Sequence, residues 1–100
     1  MTDQSDAGRA PGWTLVSNHG HALLCLVEQP DMRIWELARC VGVRERSAQR
    51  IVSELVEAGY LSRERRGARV HYTVHRDRPL RRAGLSTRTL GDLLDVLLSN

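Results

Sequence analysis

The chain has 100 residues, 41% of them hydrophobic, which is enough for one small domain and too little for two. No stretch approaches the roughly 18 apolar residues that a membrane-spanning helix needs, and the N-terminus lacks the apolar core of a secretory signal, so we expect a cytoplasmic protein without a membrane partner. All 15 basic residues are arginine and the net charge is +3, a mild excess whose distribution is more informative than its size.

The first predicted helix follows a polar N-terminal segment. Residues 1–12, MTDQSDAGRAPG, are expected to be a disordered tail because they contain few apolar residues. The stretch SNHGHALLCLVEQP then begins with two candidate N-cap residues, Ser17 and Asn18, and continues with a stripe of leucine and valine. Pro30 ends the run, so the pattern predicts a helix from about His19 to Gln29.

Two further helical patterns meet at a glycine. In DMRIWELARCV the apolar residues recur with the spacing i, i+3, i+4, i+7 and predict a short helix that ends near Val41. RERSAQRIVSELVEAGY repeats this periodicity over about residues 45–58. Gly42 suits the left-handed position that stops a helix, and Ala38 provides a small side chain where two steeply crossing helices come closest. A short helix, a glycine turn and a longer helix form a helix-turn-helix arrangement.

The sequence period then changes to that of β-strands. YLSRERRGARVHYTVH alternates on both sides of Gly67, which predicts a two-stranded hairpin over about residues 60–74 with the glycine at its tip. Residues 60–82 hold eight arginines against two acidic residues, a net charge of +6. A basic block of this kind often meets a polyanion, although for Arg81 and Arg82, in the loop after the hairpin, solvation is the simpler explanation.

The chain ends in a leucine-rich helical pattern, STRTLGDLLDVLLSN, with a cap expected at Thr87 or Thr89. Its leucines are expected on one face, and we interpret this stripe, within residues 85–100, as the element of a homodimer. The alternative is that the helix packs against the first helix of its own domain. The domain between this helix and the tail covers residues 13–84. The stripe consists of Leu90, Leu93, Leu94, Leu97 and Leu98.

The segment ELARCVGVRERSAQRIVSELVEAGYLSRERRGARVHYTV resembles winged helix-turn-helix regulators of the MarR and ArsR type, and LVEAGYL is its most characteristic part. The resemblance covers roughly residues 13–98 and is closest to small single-domain bacterial regulators. It implies a mainly α fold with a small β-hairpin and a C-terminal helix. It also implies a sequence-specific transcriptional regulator that binds double-stranded DNA, with a recognition helix in the major groove and the hairpin, or wing, on the backbone or minor groove.

This geometry, combined with the helical period, selects candidate DNA contacts. Arginine can bind a guanine edge with two hydrogen bonds and glutamine can bind adenine similarly, whereas arginine at a wing tip can clamp phosphates or enter a narrow minor groove. The simpler alternatives are a solvated helix face and a charged edge that discourages strand pairing. The candidates on the recognition helix are Arg44, Arg46, Ser47, Gln49 and Arg50, and those on the wing are Arg63, Arg65, Arg66 and Arg69.

Two residues of the helix pair fit the pattern less well. Arg44 stands where regulators of this type often have a serine or threonine N-cap, and arginine has no acceptor to cap with. Either Arg44 contacts a phosphate or Ser47 is the true cap of a helix that starts later. Trp35 opens the first helix of the pair, where it either covers the core or directs its indole N–H to a phosphate.

Other classes of function find less support in the sequence. There is no nucleophile with a base, no phosphate loop and no convergent carboxylate pair, so we expect neither an enzyme nor a cofactor. No segment can be singled out as a pocket for a small-molecule effector. A winged helix that binds protein and not DNA remains the alternative, and the +6 block argues against it.

The two cysteines, Cys25 and Cys40, lie in apolar helical patterns and are expected to be small buried hydrophobes without a disulfide. We expect no metal site, because Cys40 has no neighbouring thiolate along the chain and the histidine pairs lack a third ligand at a convincing spacing. Redox sensing is disfavoured, since apolar burial lowers thiol reactivity. The histidine pairs are His19 with His21 and His71 with His75.

Overall fold

The structure, a computed structural model, describes residues 16–80 and 87–98. The expected fold, mainly α with a small hairpin and a C-terminal helix, is confirmed. The predicted N-terminal tail and Arg81 and Arg82 lie outside the described residues. The elements in chain order are α1 (Asn18–Glu28), α2 (Ile34–Val41), α3 (Glu45–Glu57), β1 (Leu61–Arg66), β2 (Arg69–Val74) and α4 (Leu90–Leu98).

Helix α1 begins and ends close to the positions that the sequence predicts. The Ser17 hydroxyl accepts a hydrogen bond from the backbone N–H of Gly20 at 3.2 Å, so Ser17 is the N-cap. Gln29 is the C-cap, directly before Pro30. His19 lies 2.7 Å from a carboxylate oxygen of Glu54 and thereby links α1 to α3.

The corner between α2 and α3 is built on Gly42. Its φ of 90° is in the left-handed region, and its N–H donates to the Ala38 carbonyl at 2.8 Å. Val43 donates to the same carbonyl at 2.9 Å. Arg44 is the N-cap of α3 and makes no side-chain capping bond, so the alternative of a later helix start at Ser47 is wrong.

The core is formed where the apolar faces of α1, α2 and α3 meet beneath the hairpin. Helix α3 buries the face that the i, i+3, i+4 spacing selects, and β1 and β2 add one buried residue each. The backbone N–H of Tyr72 donates to the carbonyl of Pro30 at 2.8 Å and fixes β2 to the α1–α2 loop. The buried side chains are Ala22, Leu23, Cys25, Leu26, Met32, Leu37, Ala38, Ala48, Ile51, Val52, Leu55, Leu61, Tyr72, Leu90 and Leu94.

The hairpin is antiparallel, with Leu61 opposite Val74 and Arg66 opposite Arg69. Gly67, at φ 63°, makes the turn at the tip, as the sequence predicts. At the other end, the His75 N–H donates to the Tyr60 carbonyl at 2.9 Å, and the Tyr60 hydroxyl donates to the Pro79 carbonyl at 2.8 Å. The hairpin is therefore held at its base.

Helix α4 has Thr89 as its N-cap residue. The Thr89 hydroxyl accepts from the Asp92 N–H at 3.2 Å, and the Thr89 N–H donates to the Asp92 carboxylate at 3.0 Å. This backbone hydrogen bond, together with the threonine hydroxyl and Arg88, lowers the pKa of Asp92. The N–H of Gly91 donates to the Arg76 carbonyl at 2.8 Å, which joins α4 to the end of the hairpin.

The leucines of α4 lie on one face of the helix, as the sequence predicts, but only part of that face meets the core. Leu90 and Leu94 are buried and Leu98 packs against the core, whereas Leu93 and Leu97 are 40% and 41% exposed. The physical reason is that i, i+4, i+8 and i+3, i+7 are two adjacent stripes of a helix, and only one of them can meet the core. Val96, 72% exposed, lies beside the outer stripe.

The expectation for the cysteines is wrong. Cys25 and Cys40 form a disulfide that joins α1 to the last turn of α2, with their Cα atoms 6.6 Å apart. Cys25 is buried, but Cys40 is exposed. The packing of α1 against α2 brings the two cysteines together, and periodicity within either helix carries no information about this pairing.

Candidate nucleic-acid interface

The residues that α3 buries in the core determine which of its residues are exposed. Ala48, Ile51, Val52 and Leu55 are buried. At the start of the helix, the remaining side chains stand on the outer face: Arg44, Arg46, Gln49 and Arg50 are exposed, and Ser47 is half-buried. The face predicted to contact DNA is therefore accessible along the first two turns.

The guanidinium groups at the start of α3 are not committed to other side chains. Within the described residues, Arg44, Arg46 and Arg50 form no ion pair, although Glu45 and Glu54 lie on the same helix. Glu54 is engaged by His19 instead. These three guanidinium groups are therefore accessible at the surface of α3.

The four wing arginines fall into two groups. In the strand register, Arg63 and Arg65 lie opposite Tyr72 and Val70, on the side of the hairpin that carries the buried Leu61. Because facing residues of an antiparallel pair point to the same side, these two arginines are directed toward the helix side of the wing. Both are exposed, and neither forms an ion pair with another described residue.

The other two arginines sit at the tip and have partners within the chain. Arg66 pairs with Glu64 at 3.2 Å. Arg69 donates to the backbone carbonyl of Asp31 at 3.3 Å, and its guanidinium lies 3.8 Å from the Asp31 carboxylate. Arg69 thus ties the wing to the α1–α2 loop, a structural contact that the sequence pattern did not indicate.

A cleft runs between α3 and the wing. Gln49 and Ser53 line it from α3, and Arg63 and Tyr72 line it from the hairpin. Burial raises the pKa of the Tyr72 phenol, and the nearby Arg63 charge lowers it in part. Ser53 is exposed and one helical turn beyond Gln49, and sequence reasoning did not select it. Its position at i+4 from Gln49 is the signal that could have found it.

Trp35 is 44% exposed. It shares a shallow depression with Arg39, Val43 and Arg44 at the junction of the two helices. Trp35 and Arg44, whose side chain makes no capping hydrogen bond, therefore line the same depression. The indole N–H and the guanidinium are hydrogen-bond donors, and the Glu45 carboxylate, an acceptor, lines the same depression.

A second cluster of potential ligand atoms lies between α1 and α2. The imidazole of His21 and the sulfur atoms of Cys25 and Cys40 all lie within 4.8 Å of one another. Cys40, which has no neighbouring cysteine along the chain, therefore has the Cys25 sulfur as its neighbour in space, joined to it in the disulfide. The spacing of His21 and Cys25, one helical turn apart, was visible in the sequence, but the position of Cys40 beside them depends on the fold.

Two helices joined at a left-handed glycine, followed by a basic hairpin against the second of them, define a winged helix-turn-helix protein. The chain belongs to the MarR family, whose model matches residues 15–67, from the lead-in of α1 to the tip of the wing. Of the two types that the sequence resembles, it is the MarR type that the comparison supports. No curated protein sequence matches the chain.

Membership of this family makes the protein a DNA-binding transcription regulator of MarR type. In the described part of the chain, no helix is long and apolar enough to cross a membrane.

Proposed function

We propose that the protein is a sequence-specific regulator that binds double-stranded DNA with α3 in the major groove and the β1–β2 wing on the backbone or minor groove. One observation carries this proposal. The outer face of α3 presents three arginines and a glutamine, none of the arginines paired within the described residues, beside a wing whose Arg63 lines the same cleft.

The roles of the contacts follow from their positions. Arg46, Gln49 and Arg50 lie on the outer face of α3 and are the proposed readers of base edges, each good bidentate contact contributing about 1–3 kcal/mol of discrimination. Arg44 and Ser47 are proposed to bind phosphate near the start of α3, where the helix dipole also favours an anion.

On the wing, Arg63 and Arg65 are proposed to follow the backbone or the minor groove next to α3. Arg66 and Arg69 are proposed to reach phosphates while keeping their contacts to Glu64 and Asp31, since their side chains remain 60% and 44% exposed. Loss of the two tip arginines is expected to affect affinity less, because each must share its guanidinium with an intramolecular acceptor.

We also propose that the protein acts as a homodimer in the bacterial cytoplasm. The outer stripe of α4, formed by Leu93, Val96 and Leu97, is exposed and apolar and is the proposed contact between two copies. A two-fold dimer presents two recognition helices to half-sites about 34–36 Å apart, one turn of DNA.

The proposal is tested by selecting bound sequences from a random pool of duplex DNA. A two-fold symmetric enriched motif is expected, with half-sites one helical turn apart. Affinity for that motif should fall steeply with salt, with a slope of about −0.9 per phosphate neutralised. A winged helix that binds only protein would enrich no motif.

A further inference from the structure

We propose that His21, Cys25 and Cys40 form a zinc(II) site when the disulfide is reduced. The three residues come from two helices, and their potential ligand atoms lie within 4.8 Å of one another. None of them belongs to the face of α3 or to the wing, so this site is separate from the proposed DNA interface and does not depend on it.

The backbone geometry supplies two ligands from one helix face. His21 and Cys25 are four residues apart in α1, so their side chains stand one above the other on the same side. Cys40, in the last turn of α2, approaches that side, with its Cα 6.6 Å from the Cα of Cys25. A pair of helices thus provides one imidazole and two sulfur atoms around one point.

The spacing suits a tetrahedral ion. With zinc–sulfur bonds of about 2.3 Å and a zinc–nitrogen bond of about 2.0–2.1 Å, neighbouring ligand atoms stand about 3.5–3.8 Å apart. After reduction, the two sulfur atoms, which are bonded to each other in the disulfide, have to separate to this spacing by side-chain rotation. Because Cys40 is exposed, the ion has a path from solvent, and a water molecule can occupy the fourth position.

The ligand chemistry selects the class of metal. Thiolate and imidazole are soft and borderline ligands that favour zinc over magnesium or calcium, which require oxygen ligands. No carboxylate belongs to this cluster in the described residues. Within the divalent ions available to such a site, zinc fits a three-ligand tetrahedral set with one solvent position.

The disulfide and the metal-bound form exclude each other, because both use the same two sulfur atoms. A dithiol reductant supplies two electrons and two protons: the Cys25–Cys40 bond breaks, two thiols form, and the dithiol becomes a disulfide. Zinc binding then displaces the two thiol protons to solvent. Both forms join α1 to α2, the disulfide through a covalent bond and the zinc form through coordination of the ion by residues of both helices.

The experiment uses the full-length chain, reduced with a phosphine and freed of reductant without oxygen. Zinc(II) is titrated in competition with a chromophoric chelator, and cobalt(II) is titrated separately as a spectroscopic probe. The variants are His21→Ala and Cys40→Ser. His19→Ala is the matched control, because His19 lies on the same helix but pairs with Glu54. Circular dichroism verifies that each variant is folded.

The expected result is one zinc per reduced chain and a cobalt spectrum with thiolate charge-transfer bands and tetrahedral visible bands. Cys40→Ser and His21→Ala should each weaken zinc binding by at least the roughly 10- to 100-fold that loss of an outer-shell partner costs, and His19→Ala should not. The disulfide form should bind no zinc. Substoichiometric binding by the reduced chain, unchanged affinity in His21→Ala, or equal binding by the disulfide form would each overturn the proposal.

Discussion

Gln49 of α3 and Arg63 of β1 line the same cleft, from its helix side and its wing side respectively. A duplex that receives Gln49 in its major groove therefore brings its backbone close to Arg63. The two side chains differ in what they can read, since an amide discriminates between base edges and a guanidinium binds phosphate irrespective of sequence. Substitution of Gln49 is therefore expected to change sequence discrimination, and substitution of Arg63 is expected to change overall affinity for DNA.

Gln49→Ala should reduce discrimination at one base pair of the binding site by about 1–3 kcal/mol, with little change in affinity for unrelated DNA. Arg63→Ala should weaken binding to all sequences alike and reduce the salt slope by about one. Fluorescence anisotropy with matched and scrambled duplexes at several salt concentrations measures both. Arg88→Ala, which removes an arginine outside the cleft, is the control. A sequence-selective effect of Arg63→Ala would reverse the assignment of the two residues.

The corner of the helix pair is predicted to be sensitive to any residue with a β-carbon. Gly42→Ala creates no clash, since nothing lies within 4 Å of the added Cβ, but it forces alanine to φ 90°. We expect a loss of about 1–2 kcal/mol in the free energy of unfolding, measured by urea denaturation. Gly42→Asn should lose less, because asparagine visits the left-handed region more readily. Equal stability of Gly42→Ala and wild type would show that the corner is not constrained.

The disulfide is predicted to stabilise the metal-free protein. Its cysteines are 15 residues apart, and a loop of that length corresponds to roughly 3 kcal/mol of chain entropy. Reduction in the presence of a chelator should lower the denaturant midpoint accordingly, and exposed Cys40→Ser should match the reduced wild type. Cys25→Ser should be less stable still, because it also places a hydroxyl in the core. An unchanged midpoint on reduction would contradict the role of the cross-link.

Because burial raises the pKa of Tyr72, the free energy of unfolding is predicted to fall at high pH. Its pKa is raised in the folded chain, so at high pH the unfolded state loses its proton first and binds fewer protons than the folded state. The resulting linkage lowers stability as the pH rises through about 10, the usual value for tyrosine. Arg63→Ala should raise the Tyr72 pKa further. Spectroscopic titration in a Tyr60→Phe background measures this, and a Tyr72 pKa below the usual value would contradict the packing of the wing.

The outer stripe of α4 is predicted to hold two copies together. Leu93→Gln and Leu97→Gln in one chain should shift sedimentation toward the monomer, because both side chains are exposed in the single chain and an apolar contact between copies would be lost. Circular dichroism should show unchanged helix content. A variant that sediments as wild type would place the dimer contact elsewhere.

Much of the fold could be predicted because its determinants are local. The period of the apolar residues defines α1, α2 and α3, and Gly42 and Gly67 mark the two turns at which the backbone needs a left-handed residue. The outer face of α3 followed directly, since it is what remains when the core face is assigned. Each of these conclusions needs only residues within one or two turns of each other.

The features that the sequence did not predict depend on contacts between distant parts of the chain. Arg69 binds Asp31, 38 residues away, and Cys25 meets Cys40 across the α1–α2 loop. The two leucine stripes of α4 are equally apolar, so only the position of the core decides which of them is buried. The periodicity of the α4 sequence does not show which side of the helix faces the core.

The most direct test of DNA binding by this face is the change in backbone amide chemical shifts when the selected duplex is added to the labelled protein. The largest changes are predicted within residues 44–50 and 63–66, with small changes in the middle of α1. Changes confined to α1 and α4, with residues 44–50 unaffected, would contradict the account.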